Sequence, residues 1–348
     1  MRILNLTAGT HNNWGDALIT AVMSERFSAL GVSITQLDIA GGSKPIDPDL
    51  PFFRAKCEAQ RLGRRAKRVL SGDPKKFLFR NLGGDDFDAV VVGGGQLLGD
   101  GFVQKLTQWF SDARLEKATR VFFSVGTSPE HGDKVSRCLA ELERRDAFCF
   151  PRDVGTAATL REYPGFTVRN PMPDVAYAMK VTNEQRQNKC VVICPVAFER
   201  LKHYKPDFFS WREYSDWWFR IALEQDCPDS RIVVLPSAVV DVNTARKLSR
   251  ELKQRGLDAT LVWPRSLKAC LRVLSAASVV VSARMHPLII GDVLGCRIVP
   301  FIRNEKLQRF AEGLKSGCSR DEKRKDVEAR FAEALDLVSE RQRPAAAR

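Results

Sequence analysis

The chain has 348 residues, of which 44% are hydrophobic and 28% charged, and its formal net charge is +13. One hydrophobic core rarely serves a chain of this length, so we expect two domains. The composition is that of a globular protein and excludes the disordered and fibrous classes. No apolar run approaches the roughly 18 residues of a membrane span, and the start lacks a signal-peptide pattern, which favours a cytoplasmic protein.

The nine cysteines show no paired C-x-x-C spacing of the kind that builds a zinc site. Most of them fall in apolar runs. Cys190 and Cys194 share one face of a strand-like run, where packing is a better interpretation than metal binding. We therefore expect reduced core thiols and no metal.

The excess positive charge predicts an anionic partner, which can be nucleic acid, a membrane surface or a phosphorylated substrate. Between Arg54 and Arg80, ten basic residues stand against two acidic ones. Four of the arginines recur at helical spacing beside apolar residues, namely Arg54, Arg61, Arg65 and Arg68. This stripe favours a helix resting on anionic headgroups at the inner face of the plasma membrane over a nucleic-acid reader, and a solvated charged face is the alternative.

Short apolar runs alternate with amphipathic segments from the start of the chain, as in βαβ units. The first half predicts strands at 3–6, 33–39, 89–92, 121–125 and 147–150, with helices over 17–30 and 154–161. A polar stretch at 181–189 is the expected linker. The pattern then restarts, with strands at 190–194, 231–235, 260–263, 278–281 and 297–301 and helices over 211–224, 243–255, 267–276 and 287–294.

These elements predict an α/β fold of two doubly wound Rossmann-like domains that face a cleft. The expected domains are residues 1–180 and 189–315, followed by a charged, mostly exposed helix and tail over 316–348. Parallel sheets bind ligands outside the carboxyl ends of their strands, so the residues that follow each strand are the candidate site residues.

Two candidate segments follow the first and third predicted strands. Asn13-Trp14-Gly15-Asp16 precedes a helix, where Asp16 as N-cap and Gly15 as a point of close approach would let an anion or sugar bind; plain capping is the alternative. The strand at 89–92 runs into Gly93, Gly94 and Gly95, whose backbone N–H groups can lie against a phosphate or ring. Asp100 follows where a catalytic carboxylate can sit, or serves only as a turn residue.

Two later strands end in Gly126-Thr127 and in Arg152. The guanidinium of Arg152 suits a carboxylate or phosphate, although a pair with Asp153 or a helix cap is the alternative.

The strongest local signal is Arg284-Met285-His286-Pro287 after a buried strand. Arg284 and His286 are two residues apart and point the same way if the strand continues, and Pro287 suits the first position of a helix. A cation, an imidazole and a helix start together predict a site for a multiply charged anion. A structural histidine is the alternative.

The order and spacing of these segments resemble the polysaccharide pyruvyl transferase family over about residues 3–310. The matching motifs are Asn13-Trp14-Gly15-Asp16, the triple glycine with Asp100, Arg152-Asp153-Val154-Gly155-Thr156, Pro173-Asp174, Arg284-Met285-His286 and Lys306. One departure is clear: the family commonly has Gln-x-x-Gly-Pro where this chain reads Phe123-Ser124-Val125-Gly126-Thr127.

The resemblance implies an architecture like that of GT-B glycosyltransferases, with phosphoenolpyruvate between the domains, a sugar or lipid-linked acceptor on the N-terminal side, and neither metal nor cofactor. It implies that Arg284, aided by Arg152 and Lys306, binds the carboxylate and phosphate. His286 would act as the general acid or orient the phosphate, and Asp100 would act as the base toward the acceptor. The acceptor sugar would be held by Asn13, Gly15, Asp16, Gly93, Gly94, Gly95, Gly126 and Thr127.

Two other functions remain open from the sequence. A GT-B glycosyltransferase would use the same cationic strand end for the diphosphate of a nucleotide sugar. A catalytically silent protein could attach to a membrane or glycan assembly complex, but the joint presence of Arg284, His286 and Asp100 disfavours it.

Overall fold

The computed structural model describes residues 1–8, 13–39, 86–99, 101–127, 132–181, 190–204, 210–225, 231–314 and 317–343. Three predictions fall outside the described residues: the basic stripe from Arg54 to Arg68, Asp100, and the linker apart from Val181.

The N-terminal domain is built on a six-stranded sheet in which all neighbouring strands are parallel. Its strands are β1 (Arg2–Thr7), β2 (Ser33–Asp38), β3 (Ala89–Leu98), β4 (Thr119–Thr127), β5 (Ala147–Pro151) and β6 (Phe166–Val168). Their order in space is β2-β1-β3-β4-β5-β6. The described helices between them are α1 (Trp14–Ala29), α2 (Val103–Phe110), α3 (Asp133–Glu143) and α4 (Val154–Arg161).

Strand alternation explains how this sheet is covered on both faces. Side chains of successive strand residues point to opposite faces. Accordingly, Ile3 packs in one apolar cluster with α1, and Leu4 packs in another with α2 and α3. Both faces are buried, as in doubly wound folds.

The C-terminal domain repeats this plan with a five-stranded parallel sheet. Its strands are β7 (Cys190–Cys194), β8 (Arg231–Val234), β9 (Ala259–Leu261), β10 (Ala277–Ser282) and β11 (Arg297–Pro300), in the order β11-β10-β7-β8-β9. Its helices are α5 (Phe198–Tyr204), α6 (Trp211–Glu224), α7 (Val242–Gln254), α8 (Leu267–Ser275), α9 (Met285–Val293) and α10 (Glu305–Leu314), and α11 (Arg320–Gln342) follows. The predicted fold of two doubly wound Rossmann-like domains is confirmed.

Three local predictions were wrong, and each error changes where a candidate residue lies relative to its helix or strand. Helix α1 starts at Trp14 and is capped by Asn13, so Asp16 lies in the first turn and is not the cap. Strand β3 continues through the glycines to Leu98, so they lie within the strand and not after it. Helix α9 begins at Met285, which makes Pro287 its third residue.

Helix α11 returns from the C-terminal end of the chain to the N-terminal domain. One of its faces is buried, contrary to the expectation of a mostly exposed helix, through Val327, Phe331, Ala334 and Val338. The Phe331 ring lies 5.0 Å from that of Phe27 and 4.5 Å from that of Phe123. Ion pairs from Arg26 to Glu328 and from Arg169 to Glu333 flank this contact.

The cysteines whose side chains are described are free thiols, and most are buried. Within the same ranges, no three His, Cys, Asp or Glu side chains are grouped so that they could hold a metal ion. No described helix is both long enough and apolar enough to cross a bilayer.

We predict that Phe331→Ala strongly destabilises the protein, because this ring is 1% exposed and packs between two others. Removing a buried phenylalanine ring costs about 3–5 kcal/mol. Urea denaturation should show the loss, whereas Asp336→Ala on the exposed face of α11 should change stability by less than about 0.5 kcal/mol. Equal effects of the two substitutions would mean that α11 does not pack on this domain.

Candidate active site

The two domains meet at the first turn of α1. The Trp14 N–H donates to the Ser237 carbonyl at 2.9 Å, and Asn13 forms an antiparallel bridge with Ala238. The Asn13 side chain also accepts a hydrogen bond from the Gly15 N–H at 3.0 Å. The helix start that the sequence offers as a sugar site is therefore in direct contact with the other domain.

His286 fills the space beside Gly15. A Cβ atom built on Gly15 would overlap the imidazole ring at Nδ1, so only glycine permits this approach. Gly15 is the second residue of α1 and His286 the second residue of α9. Two helix N-termini, each with partial positive charge, thus converge on the imidazole.

Asp174 is the buried anion of the site. It is 4% exposed, and its Oδ1 accepts a hydrogen bond from the Ala176 N–H at 3.0 Å. Its Oδ2 accepts one from Arg152 at 3.2 Å and lies 3.8 Å from His286 Nε2. Nε2 is buried and has no hydrogen-bond partner among the described residues. The Asp174 carboxylate therefore lies between the Arg152 guanidinium of its own domain and the His286 imidazole of the other.

Arg152 reaches Asp174 because Gly126 leaves room for it. Arg152 follows β5, and its backbone N–H donates to the Val125 carbonyl at 2.8 Å. A Cβ on Gly126 would lie 2.6 Å from Nη2 of Arg152. Beside it, the Thr127 N–H donates to Thr156 Oγ1 at 3.0 Å. Gly126 thus has a local structural role, and Arg152 pairs with Asp174 and not with Asp153.

Asp174, Arg152, His286 and Lys306 form one charged cluster, in which each group alters the pKa of its neighbours. Burial lowers the pKa of His286 to about 4; Asp174 opposes this shift, and the positive charges of Lys306, Arg152 and Arg284 add to it. In the free protein, His286 is therefore neutral at neutral pH.

Lys306 lies in the first turn of α10. Desolvation lowers the pKa of Lys306 to about 7, and the charge of Arg152 adds to this shift, whereas Asp174 and Asp16 oppose it. Burial also raises the pKa of Asp174, but attraction to His286, Arg152 and Lys306 and the hydrogen bond from Ala176 outweigh it, so this pKa lies below its ordinary value.

Arg284 and His286 do not act on the same partners, contrary to the sequence prediction. Arg284 binds Asp241 through two hydrogen bonds, from Nε at 3.1 Å and from Nη2 at 2.6 Å. Asp241 is fully buried and also accepts the N–H groups of Ala197 and Ala238. The side chains diverge because the strand ends at Ser282 and the chain turns into α9 at Met285.

The triple glycine lets α1 approach β3. Cβ atoms on Gly93 and Gly94 would overlap Met23 and Ile19 of α1, whereas one on Gly95 would meet only Ile19, at 3.7 Å. Gly94 and Gly95 also have positive φ angles of 70° and 89°, which favour glycine. Helix packing thus accounts for Gly93 and Gly94 without a ligand.

A cavity of about 730 Å³ opens beside this cluster, between the two domains. Its wall includes Arg152, Asp174 and Lys306, together with Gln96, Thr127 and Phe310. At its edge, Arg309 of α10 pairs with Asp153 at 3.5 Å. Of the predicted site residues, the structure brings Thr127, Arg152 and Lys306 to this cavity.

Sequence reasoning assigned no role to Asp174, Asp241 or Arg309. Asp174 was noted only as part of a motif. The local signal at Asp241, an acidic residue at the start of α7, is typical of a cap, yet Asp241 makes no capping hydrogen bond to that helix and pairs with Arg284 instead. Arg309 has none, since its partner Asp153 is distant in sequence.

A family model for polysaccharide pyruvyl transferase matches residues 13–305. No curated protein sequence matches the chain. Similar solved structures include a Listeria monocytogenes protein assigned as a UDP-N-acetylglucosamine 2-epimerase (11% identity, 97% of this chain and 88% of that chain, TM-score 0.54). Another is the UDP-GlcNAc 2-epimerase from Methanocaldococcus jannaschii (11% identity, 94% of this chain and 92% of that chain, TM-score 0.52). A third is the S. aureus MnaA–UDP co-structure (9% identity, 99% of this chain and 98% of that chain, TM-score 0.52). At these identities the likeness shows the fold alone.

We predict that Gly15→Ala lowers the melting temperature, because the added methyl group must displace the His286 ring at the domain junction. Overpacking of this kind costs about 1–3 kcal/mol. Gly101→Ala is the matched control, since a Cβ there meets nothing within 4 Å. Scanning calorimetry that shows the same small change for both variants would contradict the contact between Gly15 and His286.

Proposed function

Because the chain belongs to the polysaccharide pyruvyl transferase family, we propose that it transfers the enolpyruvyl unit of phosphoenolpyruvate to a sugar of a polysaccharide or lipid-linked glycan precursor. The donor would bind at the domain junction beside Asp174, and the sugar would accept the unit as a ketal.

One observation carries the choice of donor: two cationic side chains, Arg152 and Lys306, line one cavity next to an imidazole at two helix N-termini. Phosphoenolpyruvate has a carboxylate and a phosphate and so requires at least two such anchors. A guanidinium binds such groups through two parallel hydrogen bonds, and an ammonium acts as a point charge. Arg284, which the sequence analysis predicts as the main anchor, stays a prediction, although two of its nitrogens already bind Asp241.

The reaction requires acid and base. One acceptor hydroxyl adds through its oxygen to C2 of the donor, while C3 gains a proton and becomes a methyl group. A second hydroxyl then bonds to C2 as the bond from C2 to the phosphate oxygen breaks, and inorganic phosphate leaves. Of the two hydroxyl protons, one balances the proton on C3 and the other leaves with phosphate.

His286 is the proposed proton donor to C3. It is neutral in the free protein, so it must gain a proton when the anionic donor arrives, because negative charge nearby raises the pKa of an imidazole. Asp100, the predicted base toward the acceptor, lies outside the described residues and stays a prediction. So does peripheral binding to anionic membranes through the arginine stripe.

The acceptor sugar would occupy the rest of the cavity. The turn from Asn13 to Gly15 is in contact with Ser237, Ala238 and His286, and the role of this turn in holding the sugar stays a prediction. The cavity of about 730 Å³ is far larger than a three-carbon donor requires. Gln96 and Thr127 supply polar groups on its wall, and Phe310 supplies a ring.

The donor can be tested with isotope-labelled phosphoenolpyruvate and, separately, labelled nucleotide sugars. We expect only phosphoenolpyruvate to bind, to raise the melting temperature and to transfer label to a glycan. His286→Gln should retain donor binding but lower turnover by about 10²- to 10⁴-fold, as loss of a general acid does. Binding of a nucleotide sugar without phosphoenolpyruvate would favour the glycosyltransferase, and a fall in turnover below about tenfold would exclude His286 as the acid.

The affinity for phosphoenolpyruvate should fall as pH rises from 7 to 9. Above pH 7 the free protein loses the Lys306 proton, and binding of an anion must restore it, so each pH unit should weaken binding by up to about tenfold. Lys306→Arg keeps its charge over this range and should remove the part of the dependence that Lys306 contributes, leaving only proton uptake by His286. Titration calorimetry checks both, and equal pH dependence in the two proteins would contradict the role of Lys306.

A further inference from the structure

Asp174 presents a problem for an anion-binding site, because its carboxylate repels the ligand that the surrounding cations attract. It lies in the cavity wall and is 4% exposed, so water screens this repulsion poorly. Its charge weakens binding of a phosphate or a carboxylate. Its role should therefore be sought in something other than donor affinity.

The geometry of Asp174 indicates where to look. Oδ1 is held by the Ala176 N–H at 3.0 Å, which fixes the carboxylate. Oδ2 faces the Arg152 guanidinium at 3.2 Å and the His286 Nε2 at 3.8 Å. One oxygen thus lies between the side chain proposed to bind the donor and the side chain proposed to carry its proton.

We propose that Asp174 is a positioning residue that couples donor binding to protonation of His286. When the anionic groups of the donor bind Arg152, the Asp174 carboxylate becomes free to pair with His286 and to hold a proton on Nε2. This inference rests on the proposed function, since it takes phosphoenolpyruvate as the donor.

The charges around His286 are arranged for this response. Burial is the largest effect that disfavours the protonated imidazole, and the positive charges of Lys306, Arg152 and Arg284 add to it; among these neighbours Asp174 favours it. Asp16 faces Lys306, and Asp241 already neutralises Arg284. A donor that neutralises Arg152 and Lys306 therefore removes most of the electrostatic repulsion and leaves Asp174 as the charged neighbour that offsets the cost of burying a protonated His286.

Asp174→Asn tests the proposal, since asparagine keeps the shape and can still accept the Ala176 N–H bond. We expect KM for phosphoenolpyruvate to stay unchanged or to fall, and kcat to fall at least about tenfold. The alkaline limb of the kcat profile should move to lower pH, because the group that favours imidazolium is gone. Asp336→Asn on the exposed face of α11 is the matched control. Unchanged kcat, or a raised KM with unchanged kcat, would overturn the proposal.

A second measurement uses the wild-type protein and does not depend on how the variant folds. The chain has four histidines, so His286→Gln assigns the imidazole signal of His286 in NMR spectra. We expect phosphoenolpyruvate to raise the pKa of His286 from about 4 to about 7, which is about 10³-fold in proton affinity. No rise on donor binding would overturn the role of Asp174, whereas failure of the wild type to bind phosphoenolpyruvate would overturn the proposed function itself.

Discussion

The buried carboxylate of Asp174 sets the conditions for everything around it, because a charge removed from water must be paired or hydrogen-bonded. The Ala176 N–H and the Arg152 guanidinium meet this requirement from within the N-terminal domain. His286 approaches from the C-terminal domain and stops at 3.8 Å, without a hydrogen bond from Nε2 among the described residues. The charge of Asp174 is thus compensated by groups of the N-terminal domain, whereas His286 of the C-terminal domain can still gain a proton.

Steric fit holds the same junction in place. Gly15 accommodates the His286 ring, and a Cβ on Gly155 would overlap the Arg309 side chain, so two glycines of one domain receive side chains of the other. Helix α11 adds an apolar contact through Phe331 on the far side of the N-terminal sheet from α2. Because α11 follows the second domain in sequence yet packs on the first, the chain crosses the junction twice. These contacts give the charged side chains fixed positions, which catalysis by positioning requires.

Periodicity was a sound guide to the fold, because burial on both faces of a parallel sheet leaves uninterrupted apolar runs in the sequence. The run at 190–194 and the amphipathic segment at 211–224 were predicted with their observed bounds. The buried face of α11 was missed although Val327, Phe331, Ala334 and Val338 recur at helical spacing, because charged residues dominate the segment. A local pattern also identified Arg152 at the cavity, whereas Lys306 was identified through the family resemblance.

Pairings between distant residues could not be read from the sequence. Nothing near Arg284 reveals that Asp241, 43 positions away, occupies two of its nitrogens. Likewise, a glycine within a strand gives the same local signal whether a helix or a ligand approaches it. At Gly93 and Gly94 it is helix α1 that approaches. The direction of a side chain that follows a strand is equally hard to predict. The chain turns from the strand into α9 between Ser282 and Met285, and so Arg284 and His286 have different partners.

The most direct test of this account is a crystal structure of the protein with phosphoenolpyruvate bound. The account predicts donor oxygens about 3 Å from the Arg152 guanidinium and the Lys306 ammonium, a typical hydrogen-bond distance, with Asp174 closer to His286 than to Arg152. A donor bound away from Arg152 and Lys306, or an Asp174–Arg152 pair unchanged beside it, would contradict the account.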